Sequence, residues 1–158
     1  AGHSGLRSHR SLTLAFVRIH MALPLITLLI AICLTGIYLA LSAHVIRTRR
    51  NEQASVTSVP SEPLQRAIRA HSNFMEYTPI FLILLMLLEL SDSYLWWISG
   101  LGISFIIGRL SHAYGILIGE TGSPPAFGGR VRGMILTLST LGAAALSGLI
   151  LIGWIVLH

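Results

Sequence analysis

The sequence contains no lysine, a single cysteine and few charges of either sign. Charged residues make up 11% of the chain, against about 25% in an average soluble domain, whereas hydrophobic residues make up 53%. A soluble domain of 158 residues would leave much of this apolar surface in water, because small folds bury a limited share of their surface. These properties exclude a soluble enzyme, a disordered chain and a secreted disulfide scaffold. The one cysteine, Cys33, lies in an apolar run and is expected to be a small buried hydrophobe.

The basic residues are all arginines, 11 in number, and they give the chain a net charge of +5. In a soluble protein this charge would suggest nucleic acid binding, but here the arginines flank apolar runs. Lipid headgroups or an anionic ligand are therefore the better partners, and no nucleic acid is expected. The planar guanidinium fork suits carboxylates in particular.

Four apolar segments are long enough to cross a bilayer, which requires about 20 residues. They cover residues 21–46, 67–90, 93–119 and 133–157 and predict an all-α, integral membrane four-helix bundle in a single domain. Residues 21–46 are longer than a signal-peptide core, so we expect no cleaved signal peptide. The polar residues 1–10 are predicted to be disordered or the remnant of an expression tag.

The arginines are spread unevenly over the connectors between these segments. Six of them flank the first and third connectors, the second connector has none, and three precede the first segment. By the positive-inside rule, connectors one and three lie in the cytoplasm and both termini lie outside. We therefore expect an integral protein of a bacterial inner membrane in this orientation.

The second segment carries ionisable residues, which a bilayer disfavours. Its polar side chains at offsets of 0, 3, 7 and 10 residues are Arg66, Arg69, Asn73 and Glu76. This spacing places them on one helix face, with Glu76 about 15 Å along the helix from Arg66 and so near mid-membrane. Such a stripe can join helices by hydrogen bonds, but a carboxylate this deep favours a binding site. His71 points elsewhere and is expected to face another subunit or the headgroups.

The third segment adds Arg109 and His112, which are three residues apart and share a helix face. The helix stays apolar as far as Ile118, so we expect Arg109 to face the bundle interior rather than the lipid interface. All four helices thus bring cations to one end of the bundle, where the start of the fourth adds a positive dipole. This end is predicted to bind an anion with a carboxylate for arginine and an ammonium group for Glu76.

Three sequence motifs carry a family resemblance. RAHSNFMEYTPIF resembles the second-helix signature of the MAPEG superfamily, the membrane-associated proteins in eicosanoid and glutathione metabolism, and GRLSHAYG resembles its third-helix pattern. HVIRTRR is similar to the arginine pair that closes the first helix of leukotriene synthases. The resemblance covers residues 21–157 and points to a bacterial-type or microsomal glutathione transferase-like member. It implies a homotrimer of four-helix subunits that binds glutathione between neighbouring subunits near the cytoplasmic face.

The resemblance also implies roles for particular residues. Those that match glutathione-binding positions are Arg69, Asn73, Glu76, Tyr77, Arg109 and His112. Arg132, or else Arg130, matches the arginine that opens the fourth helix and stabilises the glutathione thiolate. Arg49 or Arg50 matches the first-helix arginine and is the other catalytic candidate. We expect Arg130 to lie in the Gly-Gly loop before the fourth helix.

One position departs from the eicosanoid branch of the family. Its members have a tyrosine one turn below the position of His112, where this sequence has Ile116. The fourth helix also lacks the serine-and-tyrosine pattern of prostaglandin E synthases. Both departures argue against an eicosanoid-specific enzyme.

The resemblance and the polar residues together predict a membrane glutathione transferase or peroxidase. It would act in detoxification, conjugating glutathione to lipophilic electrophiles or reducing them, without metal or haem. Its partners would be glutathione, a lipophilic small molecule, membrane lipid and further copies of the chain. One alternative is a non-catalytic glutathione- or lipid-binding member of the family, and another is a small proton-coupled transporter with Glu76 as its carboxylate. A third is a haem or metal protein that uses His44, His71 and His112.

Overall fold

The computed structural model describes residues 23–53, 59–91, 93–122 and 126–157, which form four long α-helices and one short 3-10 turn. The helices are α1 (Leu25–Asn51), α2 (Glu62–Leu90), α3 (Leu95–Leu117) and α4 (Gly128–Leu157), and the turn is Gly119–Thr121. All four helices are long and apolar enough to cross a membrane, which confirms the predicted all-α membrane fold. Residues 1–10, and the predictions made for them, lie outside the described residues.

Most helices extend further into the connectors than the apolar segments predict. α1 continues past residue 46 to residue 51, because arginines in its last turns suit the negative end of the helix dipole. α2 begins at residue 62 rather than 67, because Ser61 caps it: the Leu64 N–H donates to Ser61 Oγ at 3.3 Å. α4 begins at residue 128 rather than 133, so Arg130 lies in its first turn and the expectation of a loop there was wrong. Only α3 is shorter than its predicted segment at both ends.

The start of α1 is capped by a side chain from the end of α2. The two carboxylate oxygens of Glu89 accept hydrogen bonds from the backbone N–H groups of Ile26 and Thr27, at 2.9 and 2.7 Å. The first turn of a helix has no internal partners for these donors, and its positive dipole favours an anion. Pro24 precedes this turn, so α1 begins at residue 25 and not at residue 21 as predicted.

The core lies between α2 and α3, with α1 on one side and α4 on the other. Phe81 and Phe105 stack there with their ring centroids 3.9 Å apart. Other buried apolar side chains are Ile30, Leu34, Ala70, Phe74, Leu85, Ile98 and Leu101. Exposed leucines and isoleucines cover much of the outside, as lipid contact requires. Cys33 is also exposed on α1, so the expectation of its burial within the chain was wrong.

Glycines bring α3 and α4 into close backbone contact. A Cβ atom on Gly115 would overlap the backbone nitrogen of Arg130, and one on Gly133 would overlap the backbone nitrogen of His112. Small residues at a helix crossing allow this approach, which supplies much of the packing energy between helices in lipid. The contact fixes the first turns of α4 against the end of α3.

The antiparallel arrangement sorts the described arginines to one end of the bundle. They lie at the end of α1, the start of α2, towards the end of α3 and the start of α4, and we call this the arginine end: Arg47, Arg49, Arg50, Arg66, Arg69, Arg109, Arg130 and Arg132. The opposite end carries Glu89 and the aromatic side chains of Tyr94, Trp96, Trp97 and Trp154. Aromatic side chains of this kind concentrate at membrane–water interfaces.

Candidate functional site

A polar cavity of about 280 Å³ lies between α2, α3 and α4 at the arginine end, and we call it the inner cavity. Its lining includes Arg69, Asn73, Glu76, His112, Ile116, Glu120, Arg130 and Met134. Charged groups of both signs inside a membrane bundle are costly, and they usually mark a ligand or ion site.

Helix α2 supplies one polar wall because its residues recur at helical spacing. Arg69, Asn73 and Glu76 are separated by four and three residues, so they share one face. Glu76 lies at the midpoint of this 29-residue helix. Within the single chain Arg69 and Glu76 are exposed, whereas Asn73 is half-buried. A carboxylate at this depth needs a polar neighbour, because lipid cannot solvate it.

A row of side chains from the end of α3 forms the second wall. His112, Ile116 and Glu120 follow one another at intervals of four residues. His112 is buried, and its Nδ1 lies 3.0 Å from the carbonyl oxygen of Arg130. A carbonyl only accepts hydrogen bonds, so Nδ1 carries a proton and donates. In the neutral imidazole this leaves Nε2 as the acceptor.

Arg130 completes the inner cavity from the first turn of α4. Its Nη1 lies 2.8 Å from Oε1 of Glu120, an ion pair that joins α4 to the turn after α3. The Glu120 side chain is 13% exposed and that of Arg130 is 46% exposed. Met134, one helical turn further along, gives the cavity an apolar surface.

A second cavity, of about 310 Å³, adjoins the first near the start of α2, and we call it the outer cavity. It is lined by Glu62, Gln65, Arg66, Arg69, Glu120 and Phe127. Arg69 and Glu120 line both cavities and so form the neck between them. Each cavity alone is near the lower limit of small-molecule sites, about 300 Å³, and the two together have room for a short peptide.

Arg109 lies behind the inner cavity rather than in its lining. Its side chain is 0% exposed; Nη2 donates to Asn73 Oδ1 at 2.7 Å and Nη1 to Thr137 Oγ1 at 3.3 Å. The guanidinium carbon also lies 5.8 Å and 5.7 Å from the ring centres of Phe74 and Tyr77. These contacts hold the amide of Asn73 with its oxygen towards Arg109, which leaves its N–H groups for other partners.

The structure brings together four of the residues predicted to bind glutathione: Arg69, Asn73, Glu76 and His112. The other two, Arg109 and Tyr77, contact each other and line neither cavity. The predicted catalytic arginines are likewise outside both cavities of their own chain, and all are exposed: Arg132, Arg49 and Arg50. Arg130, the alternative to Arg132 in the resemblance, lines the inner cavity.

His71 faces the first helix of its own chain. Its Nε2 lies 3.0 Å from Ser42 Oγ, and its ring centre lies 5.2 Å from that of Tyr38. The expectation that it faces another subunit or the headgroups was therefore wrong, because α1 offers a hydroxyl and an aromatic ring at this level. Across the described ranges, no three His, Cys, Asp or Glu side chains are placed to hold a metal ion. That the protein works without a metal or haem stays a prediction.

Four residues that line the inner cavity are not among the predicted site residues: Ser72, Ile116, Glu120 and Met134. The signal for Glu120 is its spacing, because it continues the interval of four residues set by His112 and Ile116. The change from helix to turn after Ile118 obscures that signal. Met134 follows Arg130 by four residues, which becomes informative only once α4 is known to include Arg130.

The sequence profile of the MAPEG family matches residues 27–152, a range that includes the whole lining of the inner cavity. The chain belongs to the MAPEG family. This confirms the resemblance drawn from the second- and third-helix motifs. The chain is also similar to the inner membrane protein YecN of Escherichia coli strain K12 and of Escherichia coli O6:H1. Each is 31% identical over 91 residues, which cover 58% of this chain and 70% of the relative.

This MAPEG protein is an integral protein of the inner membrane, as predicted. Its four described helices are long and apolar enough to span a bilayer, and the YecN proteins carry that location in their name. The orientation that places the arginine end in the cytoplasm stays a prediction.

Proposed function

We propose that this MAPEG protein binds glutathione across the inner and outer cavities. It then conjugates the glutathione to lipophilic electrophiles, or uses the glutathione to reduce them. The observation that carries the proposal is the meeting of Arg69, Glu76 and Arg130 in one cavity within a membrane bundle. Membership of a family that includes glutathione transferases supports it.

The charged groups of the cavities are complementary to those of glutathione, which has two carboxylates, one ammonium group and a thiol. Arg69 and Arg130 offer guanidinium forks to the carboxylates, and Glu76 offers a carboxylate to the ammonium group. The amide N–H groups of Asn73 are further donors, because its oxygen is already bonded to Arg109.

The proposed chemistry requires a thiolate. A free thiol has a pKa of about 8.5 and is mostly protonated at neutral pH. Lowering it to about 6.5 requires about 2.7 kcal/mol, which one partly desolvated arginine contact can supply. The thiolate sulfur then bonds to the electrophilic carbon, and the leaving group departs with its bonding electrons. In the peroxidase reaction, two glutathione molecules reduce a hydroperoxide to an alcohol and water and become a disulfide.

We further propose that the protein assembles as a homotrimer in which α2 faces a neighbouring copy. The support is the exposure of Arg69 and Glu76 on α2 in the single chain, since lipid is a poor surrounding for both. Arg132 would then reach the glutathione site of a neighbour, as would Arg49 and Arg50. The lipophilic substrate would enter from the membrane, and Ile116 and Met134 provide apolar contacts for it.

A second candidate function is glutathione binding without turnover. Ile116 favours it, because this side chain lines the inner cavity where the eicosanoid branch has a tyrosine hydroxyl. Such a protein would bind glutathione with the same charged groups and would leave the thiol protonated.

Calorimetric titration with glutathione tests the proposed site. We expect Arg69→Ala and Glu76→Ala each to weaken binding by about 2 kcal/mol or more, because each leaves a charge of the ligand without its partner. Arg47→Ala is the matched control, since Arg47 is an exposed arginine at the same end that lines neither cavity.

Two further measurements separate the candidate functions. A transferase shows thiolate ultraviolet absorbance when glutathione is added and turns over a generic aromatic electrophile. A binding protein shows neither, although its titration is normal. If the wild-type protein does not bind glutathione, the proposal fails in both forms.

A further inference from the structure

The neck between the two cavities contains a carboxylate of the protein, that of Glu120. Glu120 lines both cavities, and its carboxylate is in contact with Arg130, which lines the inner cavity. The Glu120 side chain is 13% exposed, so it is directed largely into the protein rather than into solvent. An anion that approaches Arg130 through the outer cavity therefore meets Glu120 first.

The ion pair has a geometry that a ligand carboxylate can improve. It joins Arg130 Nη1 to Glu120 Oε1 at 2.8 Å, an interaction through one nitrogen of the guanidinium fork. A free carboxylate can approach the same fork with both oxygens, and bidentate pairs are the stronger ones. Glu120 is attached to a 3-10 turn of three residues, which limits the approaches that its carboxylate can make.

The charges of the inner cavity also indicate that Glu120 and a ligand carboxylate compete for Arg130. The charged groups that line it are Arg69 and Arg130 against Glu76 and Glu120. A ligand with two carboxylates and one ammonium group uses Arg69, Glu76 and one further cation. Within this lining that cation is Arg130, and a carboxylate bound there beside an unmoved Glu120 would meet a like charge.

We propose that Glu120 holds, in the ligand-free protein, the place on Arg130 that a carboxylate of glutathione takes on binding. The inference rests on the proposed function and names one subsite of it: Arg130 is the carboxylate subsite, and Glu120 is its resident occupant. Glu120 thus lowers the affinity for every anion, and only a ligand whose carboxylate replaces its own contact enters fully. Neutral thiols do not compete for Arg130, so the penalty that Glu120 imposes falls on carboxylate-bearing ligands alone.

The Glu120→Gln variant tests this competition. Glutamine keeps the size of the side chain and removes the charge, so we expect glutathione to bind about fivefold more tightly, the effect of a half-exposed ion pair. Arg130→Leu should weaken binding, and in that background Glu120→Gln should bring no gain, because the two residues act through one contact. Glutathione diethyl ester, which lacks free carboxylates, should show no gain either.

The matched control is Glu52→Gln, which removes the same charge from an exposed glutamate at the arginine end. Its carboxylate accepts a hydrogen bond from Ser61 and lines neither cavity. The test compares the glutathione affinities of five proteins by calorimetric titration: the wild type, Glu120→Gln, Arg130→Leu, the double variant and Glu52→Gln. Circular dichroism first checks that their helix content is unchanged.

The outcomes separate this inference from the proposed function. A wild-type protein that fails to bind glutathione refutes the proposed function, and the inference with it. If the wild-type protein binds glutathione but Glu120→Gln binds it equally or more weakly, only the inference is overturned. Glu120 then either holds α4 in place or contacts the ligand. A gain that persists without Arg130, or that Glu52→Gln shares, also overturns it, because the effect is then one of net charge.

Discussion

Arg109 is a buried cation whose hydrogen bonds go to uncharged groups, Asn73 and Thr137. Uncharged partners offset only part of the cost of removing a guanidinium from water. The guanidinium holds the amide oxygen of Asn73 and lies against the rings of Phe74 and Tyr77. Under the proposed function, Arg109 is therefore a positioning residue that acts on glutathione through Asn73.

This role predicts non-additive effects on binding. Arg109→Lys keeps the charge but loses the planar fork, so Asn73 loses its fixed orientation and glutathione affinity falls by about tenfold. Asn73→Ala should reduce glutathione affinity less in the Arg109→Lys background than in the wild type, because Arg109→Lys has already weakened the contact between the two residues. The measurement is a double-mutant cycle of glutathione affinities. Additive losses would mean that Arg109 acts independently of Asn73.

Glu89 is the residue whose loss we expect to destabilise α1 most directly. Glu89→Ala removes the acceptor of two backbone N–H groups, and we expect the free energy of unfolding to fall by about 2 kcal/mol, the upper range for helix caps. Glu89→Gln keeps one acceptor oxygen and should cost less. Denaturant unfolding in detergent measures both. Glu62→Ala is the control, because Glu62 is exposed and pairs with Arg66 within the same helix. If Glu62→Ala and Glu89→Ala lower the free energy of unfolding equally, Glu89 does not act as a cap.

Gly133 lies at the close contact between α3 and α4, beside the inner cavity. We expect Gly133→Ala to destabilise the protein by about 2 kcal/mol, since its Cβ would overlap the backbone of His112. Gly142→Ala, on the same helix with nothing within 4 Å of its Cβ, should be neutral or slightly stabilising. Thermal unfolding of the two variants is the comparison. If they behave alike, the close approach does not contribute to stability.

At the level of helices, the sequence predicts more of the fold than of the site. Long apolar runs identify all four helices, and the spacing of polar residues identifies the α2 wall, because both follow from local periodicity. The ends of the helices depend on caps, and the cap of α1 comes from Glu89, 62 and 63 residues away. Arg130 lines the inner cavity from the first turn of α4, and the sequence alone does not show this because the packing of that turn against α3 depends on contacts between helices.

For the whole molecule, the exposed polar face of α2 predicts that copies of the chain associate. If Arg132 of one copy serves the cavity of the next, inactive variants should complement each other. Chains with Arg132→Leu keep an intact cavity, and chains with Glu76→Ala keep Arg132. If the two kinds of chain are mixed in equal amounts before they assemble, about a quarter of the sites in closed rings should regain turnover. Such a site combines a chain that keeps Glu76 with a neighbour that keeps Arg132.

Turnover of an aromatic electrophile by the mixed preparation is the measurement, and each variant alone is the control. No recovery, with both variants shown by native mass spectrometry to assemble together, would place the action of Arg132 within its own chain. Native spectra that contain only monomers or dimers would contradict the trimer itself.

The cap on α1 has a consequence for the order in which the chain is assembled during synthesis. A ribosome makes α1 well before it makes Glu89, so the first helix enters the bilayer while the N–H groups of Ile26 and Thr27 still depend on water and headgroups. These groups hold that end of α1 at the membrane surface until α2 has crossed and its carboxylate arrives. We therefore expect the depth of α1 to become fixed only after the second helix has crossed, and the first helix of a nascent chain arrested before residue 89 to lack this cap.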